Sequence, residues 1–209
     1  MSFRTFKTLI YSLVHRSDVR RWSDIGNHDK SWSGRTLAMS KHVEAGESVF
    51  EFGAGRRHLQ EMLPPGCVYT PSDIAERAPG TIICDLNKHP LPHFPRHDVA
   101  FCSGVLEYIH HLDLMAAALA KSFDRLIVSY ADIDRYPKKG SRIRYGWFNH
   151  FSRRKFVGKF ETAGYRLDEE AVWEKHGIYV FKLTQVAADA AGSLKALEPV
   201  PEIGHGTPG

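Results

Sequence analysis

From Ser48 onward the chain repeats one pattern, and that pattern restricts its fold more than any other feature. Short apolar runs at 48–52, 67–71, 81–84, 98–103 and 125–130 are each followed by a turn and a polar or helical stretch. Apolar runs of this length, bounded by turn signals, suit strands buried on both faces. Alternated with helices, such strands build a parallel sheet covered on both sides. The spacing therefore predicts an α/β chain. Helices are expected over 31–43, after the first strand through Leu63, and from an N-cap at Ser152 through Ala163, where Gly164 stops the last of them. Residues 132–151 read as a basic, aromatic-rich loop. Two closing strands, 165–173 and 178–183, are near enough to pair as a hairpin through Lys175-His176-Gly177. At 209 residues the chain fits one ordinary domain over 31–185. Residues 1–30 then form an N-terminal extension, and 186–209, rich in Ala, Gly and Pro without periodicity, a disordered tail.

Within the extension, Phe3, Phe6, Ile10, Leu13 and Val14 share one helical face, with Arg4, Lys7, His15 and Arg16 around it. Two readings stand for this basic amphipathic helix: it packs over the domain, or it rests on an anionic membrane surface as a peripheral contact. No apolar run approaches the roughly 20 residues that span a bilayer, and no secretory signal pattern opens the chain, so a cytoplasmic protein is expected. Cys67, Cys84 and Cys102 show no paired or metal-ligand spacing, which predicts buried free thiols. A formal charge of +4 does not by itself imply nucleic acid.

The first strand leads into Glu51-Phe52-Gly53-Ala54-Gly55, where glycines allow a tight turn and the close approach of a ligand. A dinucleotide fingerprint requires Gly or Ala where this chain has His58, and Glu51 would repel a pyrophosphate. A carboxylate there suits a ligand that is cationic near the loop. Asp73 ends the second strand, beside Ile74, where it can accept both hydrogen bonds of a ribose diol, and Asp85, followed by Leu86, ends the third.

These residues, together with the segment from His97 through Ser103-Gly104-Val105 to Tyr108, resemble the class I S-adenosylmethionine (SAM)-dependent methyltransferases, in the branch of small bacterial enzymes acting on metabolites and glycans. The resemblance covers about residues 30–184. It implies a Rossmann-like three-layer sandwich with a mostly parallel seven-stranded sheet and an antiparallel last strand. It also implies SAM as cofactor, held by Glu51, Gly53, Ala54, Gly55, Asp73, Ile74, Asp85, Leu86, Ser103, Gly104, Val105 and Tyr108. Trp32 and Arg35 occupy a region that in relatives folds over the methionine end of the cofactor. Arg35 reads either as a partner for its carboxylate or as a surface residue capping a helix. The chain departs from the family at Arg57, where a third small residue is usual.

Methyl transfer from a sulfonium needs mainly positioning, and a hydroxyl acceptor adds the need for a base. His110 and His111, just beyond the fourth strand, are candidates for that base against a reading as a solvated pair at a helix start. His150 is a third, against a reading as a packing residue. His89, His93 and His97 have helical ligand spacing that Pro90, Pro92 and Pro95 forbid, so no metal is expected. Lys138, Lys139, Arg142, Arg144, Arg153, Arg154 and Lys155, interleaved with Tyr136, Tyr145, Trp147 and Phe148, form either a solvated face or a site for an anionic acceptor. The preferred function is O-methylation of a small molecule or glycan precursor, the carbohydrate part resting on the resemblance. An RNA methyltransferase and a non-catalytic SAM-fold binding module are the alternatives; RNA is the weaker because no RNA-binding module accompanies the patch.

Overall fold

The computed structural model describes residues 3–29 and 31–184, so the expectation of a disordered tail over 186–209 lies outside the described residues. Seven strands form one sheet: β1 (Ser48–Phe52), β2 (Val68–Asp73), β3 (Ile82–Ile83), β4 (His97–Cys102), β5 (Phe123–Tyr130), β6 (Tyr165–Trp173) and β7 (His176–Leu183). Their order is β3-β2-β1-β4-β5-β7-β6. β1 to β5 pair in parallel, whereas β7 runs antiparallel to both β5 and β6.

Side chains alternate across the central strands, and each face meets its own helices. Phe50, Phe52, Ala100, Cys102, Leu126 and Val128 point to one side, against α5 (Leu112–Leu119) and α7 (Arg153–Thr162). Val49, Val99, Phe101 and Ile127 point to the other, against α3 (Trp32–Ser40) and α4 (His58–Met62). The result is the three-layer α/β sandwich that the run pattern and the resemblance predict. Burial of each large apolar side chain contributes roughly 1.5–3 kcal/mol, which is why the central strands are the most fully enclosed.

After β1 the chain builds outward through β2 and β3, then returns to lay β4 on the other side of β1. That reversal opens a crevice at the carboxyl ends of β1 and β4, the place where open α/β sheets bind ligands.

The structure revises several sequence expectations. Residues 132–151 contain α6 (Lys139–Tyr145), which lacks apolar periodicity and a side-chain N-cap. Arg142, fully buried, instead organises this segment: it donates to the carbonyls of Ala131, Tyr136 and Asn149 and lies over the Trp147 ring. The β6–β7 turn is tighter than predicted, with Trp173 opposite His176, because His176 and Gly177 pair into the ladder despite having no strand-like pattern. β3 is shorter than the expected run, with only Ile82 and Ile83 paired, opposite Ser72 and Asp73. Of the three cysteines, Cys84 and Cys102 are buried, Cys67 is half-buried, and all are free.

Tyr130, at the end of β5, anchors the segment that follows. Its hydroxyl donates to Asn149 Oδ1 at 2.6 Å and accepts from the Phe151 amide at 2.9 Å, and the Asn149 amide in turn donates to the carbonyls of Leu106 and Ile109. Tyr130→Phe leaves both groups unsatisfied in a buried place, and is expected to cost about 1–3 kcal/mol. Thermal unfolding checks this, and an unchanged melting temperature would contradict it.

Candidate functional site

Two adjoining cavities open at the carboxyl ends of β1, β2 and β4. They share the walls formed by His28, Trp32, Gly53 and Ser103. The larger runs between Asp73, Ile74, Asp85 and Leu86 on one side and Gly104, Val105 and Tyr108 on the other. The smaller is lined by Arg35, Glu51, Ala54 and Gly55. Every residue expected to hold the cofactor thus lines one cavity or the other.

The turn after β1 depends on glycine. Gly53 has a φ of +67°, and a Cβ there would lie 2.4 Å from Val105 Cγ2, so the β1 and β4 turns meet only because no side chain intervenes. Gly104, at φ +68°, makes room in the same way for the Arg35 guanidinium.

Glu51 is buried beneath this turn and accepts a 2.5 Å hydrogen bond from the Tyr69 hydroxyl. Burial pushes its carboxyl up to about 8 against the opposing effect of that hydrogen bond, and the nearby Asp73 charge adds to the rise. Arg57, the departure from the family pattern, takes a left-handed conformation at the start of α4 and stacks its guanidinium over Tyr69. It thereby backs the group that holds Glu51.

Arg35 is buried, which excludes the surface-cap reading. It donates to the Ser103 hydroxyl and carbonyl, and its Nη1 lies 3.4 Å from His176 Nε2. Burial lowers its guanidinium, with the Glu107 carboxylate opposing. His176 is itself pushed down to about 3 by burial and by Arg35 and Arg142. One cavity is therefore lined by both a cation, Arg35, and a carboxyl group, Glu51.

Asp73 accepts from the Gly55 amide at 2.8 Å through Oδ2, and from Arg77 at 2.8 Å through Oδ1. Asp85 Oδ1 accepts from the Ser17 hydroxyl at 2.6 Å and the Asn87 amide at 3.0 Å, whereas its Oδ2 takes no hydrogen bond among the described residues.

Several residues that sequence reasoning missed also line the larger cavity: Ser17, Trp22, His28, Arg77 and Asn87. Three come from the N-terminal segment, which crosses the crevice. Arg77 donates to the carbonyls of Trp22 and Ser23, and Trp22 stands edge-on to Tyr108 at 4.7 Å. Trp22, His28 and Trp32 cluster with one another, but the contacts that bring the segment to the cavity, from Ser17 to Asp85, Trp22 to Arg77 and Tyr108, and His28 to Arg77, join residues far apart in the chain, so no local signal marks them. Asn87 was within reach, two places after Asp85.

The three histidines proposed as a base line neither cavity. His110 stacks on Phe148 at 4.1 Å, and its Nε2 lies 3.3 Å from the Arg16 carbonyl. His111 packs edge-on against His15 and His89. His150 accepts from Arg142 Nε at Nδ1, and burial with the Arg142 charge pushes it down to about 4. The basic cluster is likewise divided, since Arg142 is internal and Arg153 is paired with Glu170. Among the described residues no group of three or more His, Cys, Asp or Glu could hold a metal ion, and no helix is long and apolar enough to cross a membrane.

No protein-family model matches the chain, and no curated protein matches it in sequence. Solved structures do match in fold. Human N-acetylserotonin methyltransferase in complex with SAM aligns at a TM-score of 0.62 with 12% identity, over 88% of this chain and 68% of that one. The mitomycin 7-O-methyltransferase MmcR aligns at 0.59 with 15% identity, over 87% and 68%. CalO1, a methyltransferase of calicheamicin biosynthesis solved in its SAH-bound form, aligns at 0.56 with 15% identity over 73% of this chain, and the match spans only 54% of the CalO1 chain. With its strand order, its antiparallel β7 and its crevice beside β1, this chain has the fold of the class I SAM-dependent methyltransferases.

Proposed function

We propose that the chain is a SAM-dependent methyltransferase whose acceptor is the hydroxyl of a small molecule or glycan precursor. The observation that carries this reading is the donor set around Gly53. Three acids at or just beyond the carboxyl ends of β1, β2 and β3 and one buried arginine line two joined cavities, a donor and acceptor set that matches the polar groups of SAM. Glu51 suits the ammonium, Arg35 the carboxylate, Asp73 the ribose diol, and the open Oδ2 of Asp85 an adenine amino group. When bound, SAM would supply a methyl group already activated by its sulfonium.

The chain's own contribution is positional. Glu51 and Arg35 fix one end of the ligand and Asp73 and Asp85 the other, so the sulfonium would lie near Gly53, Ser103 and Gly104. Trp22, Trp32 and Tyr108 wall off water from that place. The hydroxyl acceptor is supported by the likeness to MmcR, a mitomycin 7-O-methyltransferase. The exposed Lys138, Lys139 and Arg144 line neither cavity, so they give an anionic acceptor no contact there.

Calorimetric titration of the full chain with SAM and with S-adenosylhomocysteine tests the cofactor. Saturable micromolar binding is the expected result, and no heat from either ligand sinks the reading. Incubation with hydroxylated acceptors, with mass spectrometry of the products, then tests the reaction.

A further inference from the structure

The helix α1 (Phe3–Leu13) packs on the molecule the wrong way round for an amphipathic helix. Its apolar residues recur at steps of three and four, yet they face outward: Phe3 is 80% exposed and Leu13 82%, with Phe6, Leu9 and Ile10 also open. The inward side is polar. Thr8 is buried, and Thr5, Tyr11 and Ser12 are half-buried. Lys7 fixes this orientation by pairing at 2.8 Å with Asp18, which also caps α2 (Val19–Ser23). An amphipathic helix of a self-contained domain buries its apolar stripe, so this one is shaped for an apolar medium outside the molecule.

The charges around it identify that medium. α1 lies against α6, on which Lys138, the residue before it, Lys139 and Arg144 are exposed, and Arg16 and Arg20 are exposed just beyond α1. Asp18 is the one acidic residue between Phe3 and Ser23, and it is already neutralised by Lys7; none occurs from Arg135 to Phe160. A second copy meeting this face about a two-fold axis would bring the same basic residues together, which is repulsive. One short helix also offers far less than the roughly 800 Å² per partner of a stable interface. We infer that the outer face of α1, flanked by Arg16, Arg20 and the exposed cations of α6, docks on the surface of an anionic phospholipid bilayer. Phe3, Phe6, Ile10 and Leu13 enter the acyl boundary and the lysines and arginines stay at the headgroups. The segment that follows α1 walls the larger cavity, so docking would place that cavity near the membrane surface. The inference goes beyond the proposed reaction and does not depend on it.

The test is co-sedimentation of the full chain with phosphatidylcholine vesicles, with and without phosphatidylglycerol. Partitioning is expected to be ~10-fold or more stronger on the phosphatidylglycerol vesicles and to fall as salt is raised. Phe6→Ser/Leu13→Ser and Lys139→Glu/Arg144→Glu should each abolish it while leaving the melting temperature unchanged, since all four side chains are exposed. Equal binding to both vesicles overturns the anionic surface. Absence of vesicle binding overturns the inference altogether. In that case light scattering tests the alternative: a dimer dissolved by Leu13→Ser means that the face meets a second copy.

Discussion

Glu51→Gln is expected to weaken SAM binding about 10- to 100-fold, the loss of one buried charge-assisted contact, with the fold intact. The substitution keeps the shape of the side chain and a partner for the Tyr69 hydroxyl. Folding tolerates it because burial already holds the free carboxyl up to about 8, so the unliganded chain carries a neutral group there at neutral pH. A cationic ligand needs the ionised form and must therefore displace a proton. The sign follows: affinity improves as pH rises toward 8, by up to about ten-fold per unit below it. In Glu51→Gln that component of the slope vanishes. The same raised value predicts that the unliganded chain loses stability as pH climbs from the ordinary carboxylate range toward 8, because the unfolded chain releases a proton that the folded chain retains. Calorimetry of both forms between pH 6 and 8 checks this; equal affinity and equal slope would remove Glu51 from the site.

Asp73→Ala is expected to destabilise the chain by about 3–5 kcal/mol, because it strands a buried cation. The side chains of Asp73 and Arg77 are 4% and 5% exposed and lie 2.8 Å apart, and Asp73 also receives the Gly55 amide. Sequence places Asp73 only as a strand-end acceptor for a ribose diol, and its burial and pairing with Arg77 give it a part in the fold as well. Because Arg77 ties the carbonyls of Trp22 and Ser23 to the sheet, the N-terminal segment should loosen as well, with faster tryptic cleavage at Arg20 and Arg21. Thermal unfolding and limited proteolysis measure both effects. Asp73→Ala/Arg77→Met, which removes the stranded charge, should recover part of the loss, and a melting temperature within a degree or two for Asp73→Ala alone would show the pair to be unimportant.

Much of the architecture was legible. The bounds of β1 and β6 match the sequence expectation, as does α7 with its cap at Ser152. These elements follow from local physics: β1 is an apolar run enclosed on both faces, β6 is an edge strand bounded by the turns at Gly164 and Lys175, and a helix start needs an acceptor for its free amides. α6 escaped notice because its stability comes from Arg142 and its distant carbonyls rather than from periodicity or capping. The histidines show the opposite case, since closeness in sequence to the sheet edge drew attention to His110 and His111, while packing turned both away from the cavities.

The sequence by itself determined the parallel sheet, its layers, and the acids that end β1 and β2, because the chemistry of those positions is written within a few neighbouring residues. Only the tertiary structure decided that Glu51 is held neutral, that Arg35 is internal, that Asp73 is paired with Arg77, and that residues from Ser17 to His28 wall the cavity. It alone turned the apolar face of α1 outward. Each of these depends on burial and on contacts between residues far apart in the chain, and desolvation and long-range pairing leave no trace in local sequence.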